Sequence, residues 1–152
     1  MKERKAMLRI TSESFKSNAF IPVKYTCDGA NINPSLVVSS LPVKTSTLVI
    51  IVEDPDANDG PFVHWLVWNI APTNRIGENS VPGEPGTNDF GKLNYKGPCP
   101  PSGTHRYCFK VYALDNFLHL PSTAKKADLE AAMGRSVIAY GELVGMYERR
   151  NK

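Results

Sequence analysis

Two stretches of the sequence concentrate titratable side chains where an apolar run meets a turn. The first, EDPDANDGPFVHW, carries Asp54, Asp56 and His64, and the second, GPCPPSGTHRY, carries His105, Arg106 and Tyr107. Imidazole N–H and phenol O–H groups donate to the oxygens of a phosphate monoester or diester, while a carboxylate behind an imidazole fixes its tautomer. If neighbouring strands bring the two stretches together, they form a small cup for such an anion. The same set permits acid–base hydrolysis, with one histidine as base and the other as acid.

Each residue also has a plain structural reading. Asp54 before Pro55 and Asp56 after it are ordinary turn formers, and a lone strand histidine is more often structural than functional. The coincidence of both sets carries the functional reading. Pro98, Pro100 and Pro101 stiffen the loop ahead of His105, and Gly97 and Gly103 let backbone approach a ligand. No GxSxG elbow, P-loop or dinucleotide fingerprint is present, so no cofactor is expected. No metal is expected either, because no HxH or HxxxH pair fixes two ligands on one element. Cys99 lacks a helix N-terminus to activate it as a nucleophile.

The elements that must position these groups are mostly strands. TLVIIVE (47–53) is a β-branched run expected to be buried on both faces. FVHWLVWNI (62–70) places Phe62, His64, Leu66 and Trp68 on one face and Val63, Trp65 and Val67 on the other. HRYCFKVYALD (105–115) projects His105, Tyr107, Phe109 and Val111 to one side. SVIAYGELVGMYE (136–148) alternates Ala139, Gly141, Leu143, Gly145 and Tyr147, its glycines admitting another element at close range. One peripheral helix is predicted in PSTAKKADLEAAMG, capped by Ser122 or Thr123, with Leu129 and Met133 on one face and Gly134 as its stop. Residues 72–91 read as a long loop, the kind that is usually functional or mobile. Strands at turn-punctuated intervals with a late helix predict a mostly β, largely antiparallel sandwich or barrel in a single domain.

The 152 residues carry 18 basic and 15 acidic side chains. Basic residues gather at the ends, in 1–9 (Lys2, Arg4, Lys5, Arg9) and 149–152 (Arg149, Arg150, Lys152), leaving no internal stripe for a nucleic-acid backbone. No apolar stretch approaches the roughly 18 residues of a membrane span. The basic start resembles a signal-peptide n-region, but Ser12, Glu13 and Ser14 interrupt it, so a cytoplasmic protein is expected. Cys27, Cys99 and Cys108 are an odd number at wide spacing, and all are expected to be reduced.

DPDA followed by HWLVWNI, with GTNDFGKLNYKGPCPPSGTHRYCFKVYALD downstream, resembles the phosphatidylethanolamine-binding protein family, in particular its bacterial and archaeal, Raf kinase inhibitor-like branch. The resemblance runs from roughly Ile10 to Tyr147. It implies a β-sandwich of two antiparallel sheets with one or two small helices, and an anion pocket at one end for phosphate or a phosphorylated headgroup. Carried over by motif, the pocket residues are Asp54, Asp56, His64, Gly97, Pro98, His105 and Tyr107. The implied role is a binding protein acting through a partner such as a kinase, with serine protease inhibition and weak hydrolysis as alternatives, and with pairing into homodimers. Asn58 stands where the family motif commonly has proline, and the sequence stops near Tyr147 without the further helix that borders the pocket in animal members. A more open, less rigid site is expected.

Overall fold

The structure, a computed structural model, describes residues 6–149. Its strands are β1 (Ala6–Met7), β2 (Arg9–Thr11), β3 (Leu36–Ser39), β4 (Thr47–Asp54), β5 (Phe62–Ile70), β6 (Arg75–Ile76), β7 (Glu84–Pro85), β8 (His105–Leu114) and β9 (Val137–Tyr147), with helix α1 (Lys126–Met133) between the last two. A six-stranded sheet has the order β1-β9-β8-β4-β5-β7 and a three-stranded sheet the order β2-β3-β6. The mostly β, two-sheet architecture is as expected. Strand pairing is antiparallel throughout except for β1, which joins β9 in parallel.

β4 sits in the middle of the large sheet, and all eight of its residues are buried. One face (Leu48, Ile50, Val52) packs with Tyr107, Phe109 and Val111 against Ile10, Leu36, Val38 and Ile76 of the small sheet. The other (Val49, Ile51) packs with Leu66 and Trp68 beneath Leu129 and Met133 of α1. Each such Val, Leu or Ile contributes about 1.5–3 kcal/mol on full burial. Glu53, on the helix side, is buried between Lys110 Nζ at 2.6 Å and Lys126 Nζ at 2.5 Å, so its charge is compensated twice.

The face assignment of β5 fails partway. Val52 pairs with Trp65 and Glu53 with Val63, so His64 is the extra residue of a β-bulge. The alternation slips by one there. Trp65 and Val67 face the inter-sheet core, Leu66 and Trp68 the helix, and His64 no longer shares a face with them. In β8 no bulge intervenes between His105 and Ala113, and the predicted face survives.

Other expectations divide similarly. α1 buries Leu129 and Met133 and ends at Gly134 as predicted, but it starts at Lys126 rather than at Ser122 or Thr123, with Asp128 accepting from the Lys125 amide at 2.9 Å. The 72–91 loop contributes β6 and β7 as two-residue additions to the sheet edges. Of the basic ends, Lys2, Arg4, Lys5, Arg150 and Lys152 lie outside the described residues, Arg9 opens β2, and Arg149 reaches Asp28 at 3.0 Å. The expectation of three free thiols is overturned: Cys27 and Cys99 form a disulfide, and only Cys108 remains a thiol, buried in β8. Their separation of 72 residues gave no spacing signal, yet the fold lays one segment on the other.

The β9 glycines admit close neighbours as predicted. A Cβ on Gly141 would lie 2.3 Å from the Leu8 carbonyl oxygen, and one on Gly145 would lie 2.5 Å from Ile21. Gly141→Ala is expected to destabilise by about 1–3 kcal/mol through overpacking. A lower urea midpoint with an unchanged m-value is the expected reading, and an unchanged midpoint would mean that the β1–β2 connection yields freely.

Candidate functional site

Asp54 ends β4 and His105 begins β8, and their antiparallel pairing brings both to one end of the large sheet. Asp54 Oδ2 accepts from His105 Nδ1 at 2.6 Å, with both side chains nearly buried. A carboxylate can only accept, so Nδ1 carries the proton and Nε2 is left for a ligand. Asp54 Oδ1 also accepts from the Asp56 amide at 2.8 Å, which closes the DPD turn onto the same carboxylate. Tyr107, two residues along β8, presents its ring 6.4 Å from that of His105 and 5.4 Å from that of His64.

The bulge turns His64 toward this group and interrupts the β4–β5 ladder, so nearby backbone needs other partners. The His64 carbonyl accepts from the Lys96 amide and from Asn88 Nδ2, each at 3.2 Å. Asp89 exchanges two bonds with Val63, its Oδ2 accepting from the Val63 amide at 2.7 Å and its own amide donating to the Val63 carbonyl at 3.0 Å. His64 Nδ1 donates to the Lys96 carbonyl at 2.7 Å. Burial holds the His64 pKa below the usual imidazole range, only partly offset by the Lys96 carbonyl and by Asp54.

Asp54, His64, His105 and Tyr107 line one cleft of about 440 Å³, together with Phe62, Phe90, Asp59, Asp89, Cys99 and the prolines 61, 100 and 101. No Lys or Arg lines it among the described residues. Among the described residues the buried Tyr107 hydroxyl has no partner in hydrogen-bond geometry, although Asp54 and the Cys99 amide lie beside it. Burial, then the Asp54 charge, pushes its pKa well up, so it is a committed O–H donor. An orphaned hydroxyl in a protein interior costs about 1–3 kcal/mol.

The sequence profile described as "Phosphatidylethanolamine-binding protein" matches residues 11–148. The chain belongs to that family. A UPF0098 protein of Pyrococcus horikoshii is 50% identical over 160 residues, covering 97% of this chain and 80% of the relative. Two solved structures are similar: a phosphatidylethanolamine-binding protein homologue of Chlamydia trachomatis (39% identity, TM-score 0.90, covering 94% of this chain and 98% of that one) and Escherichia coli YbcL, described as a member of the mammalian family (29% identity, TM-score 0.87, covering 95% and 100%). Family and fold agree with what the motifs implied.

Not every residue carried over from the family motif reaches the cleft. Asp56 turns to Arg106, accepting from its amide, Nε and guanidinium at 2.8–3.0 Å, and this holds its carboxyl down to about 2. Gly97 and Pro98 do not line the cleft directly, although the Gly97 backbone lies against His64. The Gly97 amide donates to Asn31 Oδ1 at 2.7 Å, and a Cβ there would lie 2.0 Å from the Tyr25 carbonyl oxygen; the Pro98 carbonyl accepts from the Cys27 amide at 3.1 Å. Asn58 lines the mouth, exposed.

The residues missed from sequence sit in NDFG (88–91). Phe90 sets its ring edge-on 5.3 Å from His64 and 4.9 Å from Phe62. Asn88 is 1% exposed; its Oδ1 accepts from the Phe90 and Lys92 amides and its Nδ2 bonds the His64 and Asn94 carbonyls. An Asn-Asp pair inside a long polar loop was the available signal, since such residues bond backbone. Asn88→Ala is expected to cost at least about 1–3 kcal/mol, because it leaves buried backbone groups unpaired, and to move the His64 ring resonances in an NMR spectrum. A variant that keeps wild-type stability and the same His64 resonances would deny Asn88 its positioning role.

Proposed function

We propose that this family member is a binding protein whose cleft takes a small anion of the phosphoryl class, such as phosphate or a phosphorylated headgroup. The observation that carries the reading is the unpartnered Tyr107 hydroxyl, buried at the base of a cleft where two imidazoles have their Nδ1 protons committed elsewhere. A phosphoryl oxygen at Tyr107 satisfies that donor, and the free Nε2 of His105 donates to a second oxygen once the ring is protonated. The aromatic collar of Phe62 and Phe90 lowers the local dielectric and strengthens each such bond. Regulation through a protein partner such as a kinase, and pairing of two copies, follow from the family likeness rather than from the cleft.

Hydrolysis has less support. Cys99, the thiol in the cleft lining, is committed to a disulfide and offers no thiolate. No helix among the described residues is long and apolar enough to cross a membrane. Disulfides persist mainly in oxidising compartments, so the Cys27–Cys99 bridge removes the free-thiol argument for a cytoplasmic setting.

With no Lys or Arg among the described residues of the lining and Asp54, Asp59 and Asp89 present, positive charge there comes from imidazolium. A bound anion favours protonated imidazole, so affinity rises as pH falls. His64 titrates below the ordinary value of about 6.5, which places its share of the gain below that pH. For the unliganded fold the sign is opposite. A folded pKa below the unfolded one means that stability is full above about pH 6.5 and is eroded as pH falls through it, because the unfolded chain binds the proton first. Calorimetric titration with O-phosphoethanolamine, and with sulfate as an anion that does not itself titrate in this window, is expected to give tighter binding at about pH 5.5 than at pH 8. Equal affinity at both ends, or no loss in His105→Ala, would remove the histidines from binding.

Tyr107→Phe separates binding from folding. It removes a hydroxyl without a partner, so stability is expected to hold or rise slightly, while anion affinity falls by about 1.5–3 kcal/mol, the scale of a hydrogen bond to a charged group. Unchanged affinity would take away the observation on which the reading rests.

A further inference from the structure

The rim of the cleft is anchored unevenly. Up to Pro98 it is held by hydrogen bonds to the 25–31 segment: Tyr95 Oη donates to the Tyr25 carbonyl at 2.8 Å, the Gly97 amide to Asn31 Oδ1 at 2.7 Å, and the Cys27 amide to the Pro98 carbonyl at 3.1 Å. From Pro100 to Gly103 no residue makes a hydrogen bond within the described part of the chain, yet Pro100 and Pro101 line the cleft. The bond from Cys99 to Cys27 is therefore the last tie before Thr104, whose Oγ1 donates to Glu148 Oε1 at 3.2 Å just ahead of β8. Two consecutive prolines fix φ and make this span a stiff lever, and Gly103, at φ +71°, is a turn that accommodates its swing. The Cys99 amide lies beside the Tyr107 hydroxyl, so any shift of Cys99 is felt at the buried donor. Both bridged cysteines are partly exposed, within reach of a small dithiol, whereas Cys108 is buried.

We propose that the Cys27–Cys99 disulfide is a redox-sensitive clamp on the cleft, and that reducing it weakens phosphate binding; this rests on the anion reading above. The reductant is a dithiol. It supplies two electrons and two protons, the Cys27–Cys99 bond breaks to give two thiols, and the reductant's own sulfurs close into a disulfide. The body of the fold stays in place. Asp28, next to Cys27, still accepts from Tyr147 Oη at 2.6 Å and from Arg149, the hydrogen bonds at 95–98 persist, and His105 remains paired to Asp54. What is lost is the preorganisation of residues 99–103, which must then be ordered again each time an anion binds.

The test measures inorganic phosphate binding by calorimetry on oxidised protein, on protein reduced with dithiothreitol, and on the Cys27→Ser/Cys99→Ser double variant, with circular dichroism to confirm that all three are folded. Thiol titration of the denatured, unreduced chain is expected to find one thiol, Cys108. Affinity is expected to fall roughly tenfold on reduction and in the double variant alike, the scale of re-ordering one or two immobilised groups. Binding that is equal in the oxidised and reduced states overturns the clamp while leaving the anion reading intact. Absence of binding in the oxidised protein overturns both. Three titratable thiols before reduction would remove the clamp at its source, and unfolding of the reduced and double-variant proteins would show that the bridge holds the fold rather than the rim.

Discussion

A strand buried on both faces must pair every backbone polar group, and at His64 the ladder between β4 and β5 carries one residue too many. The surplus residue cannot be left with an orphaned carbonyl in a dry interior, so the chain needs partners from outside the sheet. Asn88, Asp89 and Lys96 supply them. The extra residue also changes which way the strand faces, and this moves an imidazole from beneath α1 to the side of Tyr107. The cleft, its aromatic collar and the long loop that forms one wall all follow from how a single insertion in a ladder is satisfied.

Electrostatically the cleft is unusual for the anion-binding role proposed above. Among the described residues no Lys or Arg lines it: Arg106 is turned to Asp56, while Lys110 and Lys126 flank Glu53 on the opposite face of the sheet. What remains are dipoles and switchable charges, namely a phenol, two imidazoles and the carboxylate that orients one of them. On the proposed reading such a site would bind through directed hydrogen bonds, with charge added where an imidazole takes up a proton. Lys and Arg fields attract any polyanion at long range; a phenol and two imidazole rings discriminate by position.

The parts of the fold legible in the sequence were those in which one local rule acted alone. The period of two placed His105 and Tyr107 on one face because β8 runs without a bulge through those positions, and the β9 glycines announced close neighbours because only a missing Cβ fits there. His64 was found as a residue but misplaced as a direction, since a bulge leaves no mark in composition. The disulfide was missed because pairing depends on which loops the topology lays together, and 72 intervening residues hide it. Gly97 and Pro98 were recognised as special, and around them the structure shows packing and hydrogen bonds to the Tyr25 and Asn31 segment, with the Gly97 backbone also against His64. Asn88 was invisible as a site residue because its work is to hold backbone, and only the backbone's path gives that work a location.

The parallel contact of β1 with β9 joins residues 6–7 to residues 139–140. Leu8 then packs over Gly141, and Phe15 and Ile21 pack over Gly145. On a ribosome β1 is therefore made long before its partner β9, and Leu8 waits for Gly141, whereas Ile10 already finds Val38 of β3. Pairings of such sequence separation are slow to form, because the closure entropy of the full chain is lost before any contact repays it. The final β9 residues thus complete the assembly, and a nascent chain stalled short of Gly141 can pair β2 with β3 but leaves β1 without its strand partner.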